Sequence, residues 1–275
     1  MIRNYTNYKK VRTYRVIVPY VNGNYGIGSG FFITKELFLT CFHVAFGKEL
    51  KSLVNDPEYV SSLGQDQKTK LQSYFKSHIK GIEIEISDAS RETLTLKDFN
   101  ENYDIVLLQT TKKIMDVNIC DLDFDKQFRY GNTLNFFGFP IHHAYQLDQV
   151  PIAYQEGFFS AYVKDEIGGG RYEHVQMNSI NLGGNSGAPV FSKNSKKVVG
   201  IINGNMNWGN DYIVSMPPNN QNQLRVDPFR VPLSIAYFTS VKTIKENTTL
   251  FDSLNIPIFS YSKFKNVIKR LLHIG

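Results

Sequence analysis

From Tyr14 onward the chain is cut into short runs of β-branched and aromatic residues separated by turn-forming residues, and that punctuation limits what it can fold into. YRVIVPY (residues 14–20) and GSGFFIT (28–34) flank VNGNYG, whose Asn-Gly pair is hairpin chemistry. ELFLT (36–40) follows a two-residue break at Thr34-Lys35, as a hairpin partner does. In KGIEIEIS (80–87), Ile82, Ile84 and Ile86 alternate with Glu83 and Glu85, the period of a half-buried strand. ETLTLKDF and YDIVLLQT continue the pattern. It lapses over residues 112–127, where acidic and basic residues mix, and resumes in NTLNFFGFP, GFFSAYVK, RYEHVQMNS, APVFS and KVVGIING. Short strands at this spacing, with little helical periodicity between them, predict an all-β sandwich or barrel.

Three segments break the rule. The polar stretch 48–78 reads as a loop insertion with one short helix around residues 68–75. TSVKTIKEN offers Thr239 or Ser240 as the cap of a helix. In YSKFKNVIKRLLHIG, Phe264, Val267, Ile268, Leu271 and Leu272 fall at helical spacing with Lys263, Lys265, Lys269 and Arg270 on the other side. Docking on the chain's own barrel is the expected fate of that helix, ahead of lying on a membrane.

Composition narrows the class. A chain of 275 residues suffices for one large domain or two small ones. With 42% hydrophobic and 20% charged residues it is an ordinary globular chain rather than a disordered one. The net charge of +6 is spread without a Lys/Arg block, and no nucleic-acid module is recognisable, so no nucleic-acid partner is expected. Two cysteines, Cys41 and Cys120, are few for a secreted enzyme of this size and are read as free buried thiols. The first residues carry no apolar stretch long enough for a signal peptide, and no run approaches a membrane span, which predicts a cytoplasmic location.

SINLGGNSGAPVF (179–191) packs Gly183, Gly184 and Gly187 around the hydroxyl of Ser186. Such a turn lets the N–H groups of Gly184 and Ser186 converge on one point, although most glycine-rich turns are structural. A serine nucleophile needs a base. His142 and His143 sit in a loop without metal-ligand spacing, His174 alternates in a strand, and His78 and His273 flank polar or terminal segments. His43 follows an apolar strand where a turn of helix can begin, at the rim of a core, where a general base belongs. Its plain alternative is a satisfied, half-buried histidine. Asp104 leads the aliphatic run Ile105–Leu108, and a carboxylate there needs a partner; a solvent-capped strand end is the plain alternative.

Taken together, the order His43, Asp104, Ser186 and the strings GSGFF…T..HV, DIVLL and GNSGAPV…VVGI resemble the chymotrypsin-like (trypsin-like) serine peptidases, in particular the HtrA-like and glutamyl-endopeptidase-like branch without disulfides. The resemblance runs from about Val16 to Glu246. It implies two orthogonal six-stranded antiparallel barrels with a C-terminal helix: an N-terminal barrel over residues 1–115, a C-terminal barrel over 116–247 and a helical extension over 248–275. It implies that Ser186 attacks the scissile carbonyl, His43 carries the proton, Asp104 holds the imidazole, and the amides of Gly184 and Ser186 bind the oxyanion. Ile180, Asn181, Leu182, Asn203, Gly204 and Asn205 are the expected substrate-binding residues, with no acid for a Lys/Arg-selective pocket. No metal or cofactor is implied; the partners are a protein or peptide substrate and a regulatory protein. Asn185 stands where relatives activated by N-terminal cleavage carry an aspartate, so control by loop rearrangement or a partner is expected instead. The alternative is a catalytically silent homologue that binds extended peptides or acts as a scaffold.

Overall fold

The computed structural model describes residues 12–19, 25–47, 81–87, 90–140, 152–167, 170–193, 196–206, 211–215, 225–230 and 235–252. The expected insertion helix near 68–75, the basic amphipathic helix of the last residues, and His78, His142, His143 and His273 lie outside them.

The first half forms β1 (Tyr14–Pro19), β2 (Tyr25–Phe32), β3 (Leu37–Thr40), the short helix α1 (Phe42–Phe46), β4 (Ile82–Ser87), β5 (Ser90–Asn100) and β6 (Ile105–Thr110). These six strands close in the order β1-β2-β3-β6-β5-β4, antiparallel throughout. The second half forms β7 (Thr133–Gly138), β8 (Ala153–Ile167), β9 (Gly170–Ile180), β10 (Pro189–Ser192), β11 (Val198–Met206), β12 (Asp211–Ser215), β13 (Arg225–Arg230), β14 (Ile235–Ser240) and the helix α2 (Val241–Asn247). Six of its strands close as a second barrel, β10-β11-β14-β9-β8-β7, while β12 and β13 pair as a separate hairpin. The expected lapse of pattern before β7 is a linker tied to both barrels: isolated bridges form at Ile119 and Leu122, the Cys120 N–H donates to the Phe32 carbonyl, the Asp123 N–H donates to the Val198 carbonyl, and Val117, Cys120 and Phe124 enter the first core.

In β4 alternation places the side chains, with one instructive exception. Ile82 and Ile84 are buried as the period predicts, but Glu85 is buried too and Ile86 is only half-buried. Glu85 lies opposite Arg15 on β1, and Arg15 Nε donates to Glu85 Oε2 at 2.8 Å. A buried carboxylate is tolerable when an arginine fork meets it, and the bulge after Glu85 turns the strand end outward.

The barrels share packing. Phe139, Phe191, Val198, Ile201, Val241 and Ile244 join the apolar core of the first barrel, while Phe136, Phe159, Val175, Met177, Ile202 and Phe238 fill the second. α2 sits in that seam, with Val241 and Ile244 buried and Ser240 Oγ accepting from the Thr243 N–H at 2.9 Å. Both cysteines are buried thiols outside any disulfide, as expected. Desolvation pushes the Cys120 thiol up to about 12, so it stays protonated and inert.

Candidate active site

β3 ends at Thr40, and Cys41, in extended conformation, starts α1. Phe42, Val44, Ala45 and Phe46 are buried, which anchors the helix and leaves His43 at its rim with a side chain 10% exposed. Asp104 closes the turn that leads into β6, its N–H donating to the Glu101 carbonyl and its φ at +55°, a left-handed conformation that aspartate tolerates. From there it clamps the start of α1 at three points. Its carbonyl accepts the Phe42 N–H at 3.1 Å, Oδ1 accepts the His43 N–H at 2.9 Å, and Oδ2 lies 2.6 Å from His43 Nδ1. The carboxyl group is 2% exposed. An ionised carboxylate can only accept, so Nδ1 carries the proton and Nε2 presents a lone pair.

Cys41 lies behind this pair, its thiol donating to the Ile202 carbonyl at 3.1 Å. Cys41, His43 and Asp104 offer donor atoms within 4.8 Å of one another. A cation could collect them only by breaking both the thiol bond to Ile202 and the Nδ1 bond to Asp104. The donors are already spent on each other and on the backbone.

Ser186 belongs to a loop whose backbone is tied almost atom by atom. The Gly184 carbonyl accepts from Ser29 Oγ at 2.8 Å, and the Asn185 N–H donates to the Leu182 carbonyl at 3.2 Å. The Asn185 carbonyl accepts the Ala188 N–H at 2.9 Å. The Ser186 carbonyl accepts the Ser29 N–H at 2.8 Å, and the Gly187 N–H donates to Ile202 at 2.7 Å. Between these ties the N–H groups of Gly184 and Ser186 have no acceptor among the described residues. Two glycines make the path feasible. Gly184 and Gly187 have φ of +91° and +89°, and a Cβ on Gly187 would lie 1.9 Å from the Ser29 carbonyl oxygen. That contact seats the loop on β2 and against Thr40 Oγ1, three residues before His43. Ser186 Oγ makes no hydrogen bond to His43 among the described residues; such bonds often tighten only with substrate bound.

The remaining expected site residues divide. Ile180 is exposed, and Leu182 is half-buried. Asn181 is buried, and its Nδ2 donates to the Gly204 carbonyl at 2.8 Å, tying the end of β9 to β11. Asn203 sits at a bulge in β11 and turns inward, its Nδ2 donating to Thr239 Oγ1 at 2.6 Å and facing His174 Nδ1 at 3.4 Å. Asn205 pairs with Ala236 on β14. Asn185 is fully buried against Gly138, and its amide atoms have no hydrogen-bond partner among the described residues. Ser29 and Thr40, which organise the serine loop, are not singled out by motif reading. Their signal is a small hydroxyl residue inside an otherwise apolar buried strand.

Comparison with known proteins agrees with this fold. The model of the trypsin-like peptidase domain matches residues 28–201, from the glycine before Ser29 to the strand after the serine loop. The active form of the Rv3671c protease from M. tuberculosis superposes with a TM-score of 0.56 at 10% identity, over 86% of this chain and 79% of that one. The HtrA-type protease AlgW bound to a tripeptide gives 0.54 at 16% identity, over 88% of this chain and 60% of that one. The serine endoprotease from Yersinia pestis gives 0.54 at 12%, over 88% and 63%. The chain therefore spans less than two thirds of the length of the last two. No curated protein sequence matches the chain. Two closed six-stranded antiparallel barrels and a family match over more than half of the chain lead to one statement: the chain belongs to the trypsin-like peptidase family and has its chymotrypsin-like fold.

Proposed function

We propose that the chain is a serine endopeptidase that cleaves peptide bonds through an acyl-enzyme formed on Ser186, with His43 as general base and acid and Asp104 as its orienting carboxylate. The observation that carries this reading is the buried His43–Asp104 pair, Nδ1 held at 2.6 Å and the His43 N–H held by the same carboxylate. With Nδ1 protonated, Nε2 takes the Ser186 proton as Oγ attacks and returns it to the leaving amine. The negative charge that develops on the carbonyl oxygen falls to the uncommitted N–H groups of Gly184 and Ser186, donors that need no reorganisation. Ile180, Asn181 and Leu182 line one side of the substrate's path and Asn203, Gly204 and Asn205 the other, in β11. In this reading the catalytic unit divides near residue 115 into two barrels, a regulatory protein or a loop rearrangement sets when it cuts, and the chain works in the cytoplasm.

The test is direct. Denatured casein incubated with the wild-type protein gains new N-termini, and Ser186→Ala or His43→Ala abolishes them. The missing hydrogen bond between Ser186 Oγ and His43 favours a second reading, a silent peptide-binding subunit. Folded wild-type protein that holds extended peptides without cutting them would establish it.

A further inference from the structure

Ser29 belongs to the first barrel, on β2, and is fully buried. Its groups all point at the seam with the second barrel. Oγ donates to the Gly184 carbonyl at 2.8 Å and accepts the Phe139 N–H at 3.1 Å. Its N–H donates to the Ser186 carbonyl at 2.8 Å, and its own carbonyl accepts from Thr40 Oγ1 at 2.6 Å while abutting Gly187. Of the ties that hold the loop from Gly184 to Gly187, the one at the Gly184 carbonyl is made by a side chain; the others are backbone to backbone.

That carbonyl lies on the peptide between the two donors assigned to the oxyanion. If it turned outward, its negative end would enter the space where the substrate oxygen acquires charge, and two donors would face a competing acceptor. We propose that the Ser29 hydroxyl is a positioning residue that locks the Gly184 carbonyl inward, so that a side chain of the first barrel sets the oxyanion geometry of the second. The proposal rests on the peptidase reading above. Ser29 touches no reacting atom; it acts through Gly184.

The experiment compares the wild-type protein with Ser29→Ala in three measurements: the second-order rate of labelling by a fluorophosphonate, the melting temperature, and the low-field proton resonance of the His43 Nδ1–H. A fluorophosphonate reacts through an adduct whose phosphoryl oxygen takes the oxyanion position, so its rate reads the donors. Labelling is expected to slow by on the order of 10²-fold while the His43 resonance persists, because the histidine pair is held from α1 and β6 and makes no bond to Ser29. Unchanged labelling of a folded Ser29→Ala protein overturns the proposal. Parallel loss of labelling and of the His43 resonance also overturns it, since that is the signature of a general packing role. If Ser29→Ala does not fold, Ser29→Cys, which fills the same position but offers the Gly184 carbonyl a much weaker donor, is read instead. About a tenfold slowing with the resonance retained supports the proposal, and wild-type rates refute it. Failure of the wild-type protein itself to label refutes the peptidase reading and this proposal with it, an outcome distinct from failure of Ser29→Ala alone to slow.

Discussion

At His43 the decisive feature is that one carboxylate holds both the imidazole and the backbone that carries it. Replacing Asp104 by Asn keeps the shape but offers Nδ1 a group that can donate as well as accept, so the ring can take the tautomer with its proton on Nε2. Turnover of Asp104→Asn is expected to fall by on the order of 10⁴-fold with little change in KM, measured by steady-state hydrolysis. Near-normal turnover would remove Asp104 from its role. At Gly187 the argument is steric. Gly187→Ala places a methyl 1.9 Å from the Ser29 carbonyl oxygen at a φ of +89°, so the loop must lift off β2. Its left-handed strain alone costs about 1–3 kcal/mol. Urea unfolding should show at least that loss, together with lost labelling of Ser186. A variant as stable and reactive as the wild type would contradict the described seat of the loop.

Among the elements, α2 shows how a strand hands over to a helix. Ser240 is the last residue of β14 and also the cap of α2, accepting the Thr243 N–H. Ser240→Ala should cost about 1 kcal/mol in a denaturant midpoint without changing the slope. No measurable loss would show that tertiary packing of Val241 and Ile244 alone holds the helix. The same double duty explains what could not be read in advance. IAYFTS is a barrel strand, yet Thr239 and Ser240 are equally good helix caps, so local pattern does not separate a strand from the approach to a helix. β12 and β13 are likewise set by pairing with each other rather than by a period in either. The strands around His43 and Asp104 were legible because their apolar runs are long enough to demand burial. That Asp104 needs a partner follows from the carboxylate beside Ile105–Leu108, but the choice of His43 as that partner rests on the family resemblance, since a solvent-capped strand end satisfies the same local pattern. Ser29 was not, because its partners lie 110 and 155 residues away in the chain.

On the scale of the whole molecule, the two barrels act as one body, with Phe139, Phe191 and Ile201 in the core of the first and Ser29 holding the serine loop of the second. Alkaline stability follows from the buried groups. Cys120 is pushed from 9.0 up to about 12 by burial, and Tyr14 is raised for the same reason. A proton kept in the folded state and lost in the unfolded state makes stability fall as pH rises. The Cys120 contribution is complete below pH 9 and is lost between 9 and about 12. Cys120→Ala should therefore flatten that limb in urea unfolding followed from pH 8 to 11, relative to its own value at pH 8. An unchanged slope would contradict the assignment. The central claim concerns Ser186, and the most direct measurement is peptide mapping by mass spectrometry after fluorophosphonate treatment. A single adduct on Ser186 in the wild-type protein, absent from Ser186→Ala and strongly reduced in His43→Ala, is the predicted result. A folded wild-type protein with no adduct at Ser186, or equal labelling of Ser186→Ala, would contradict it.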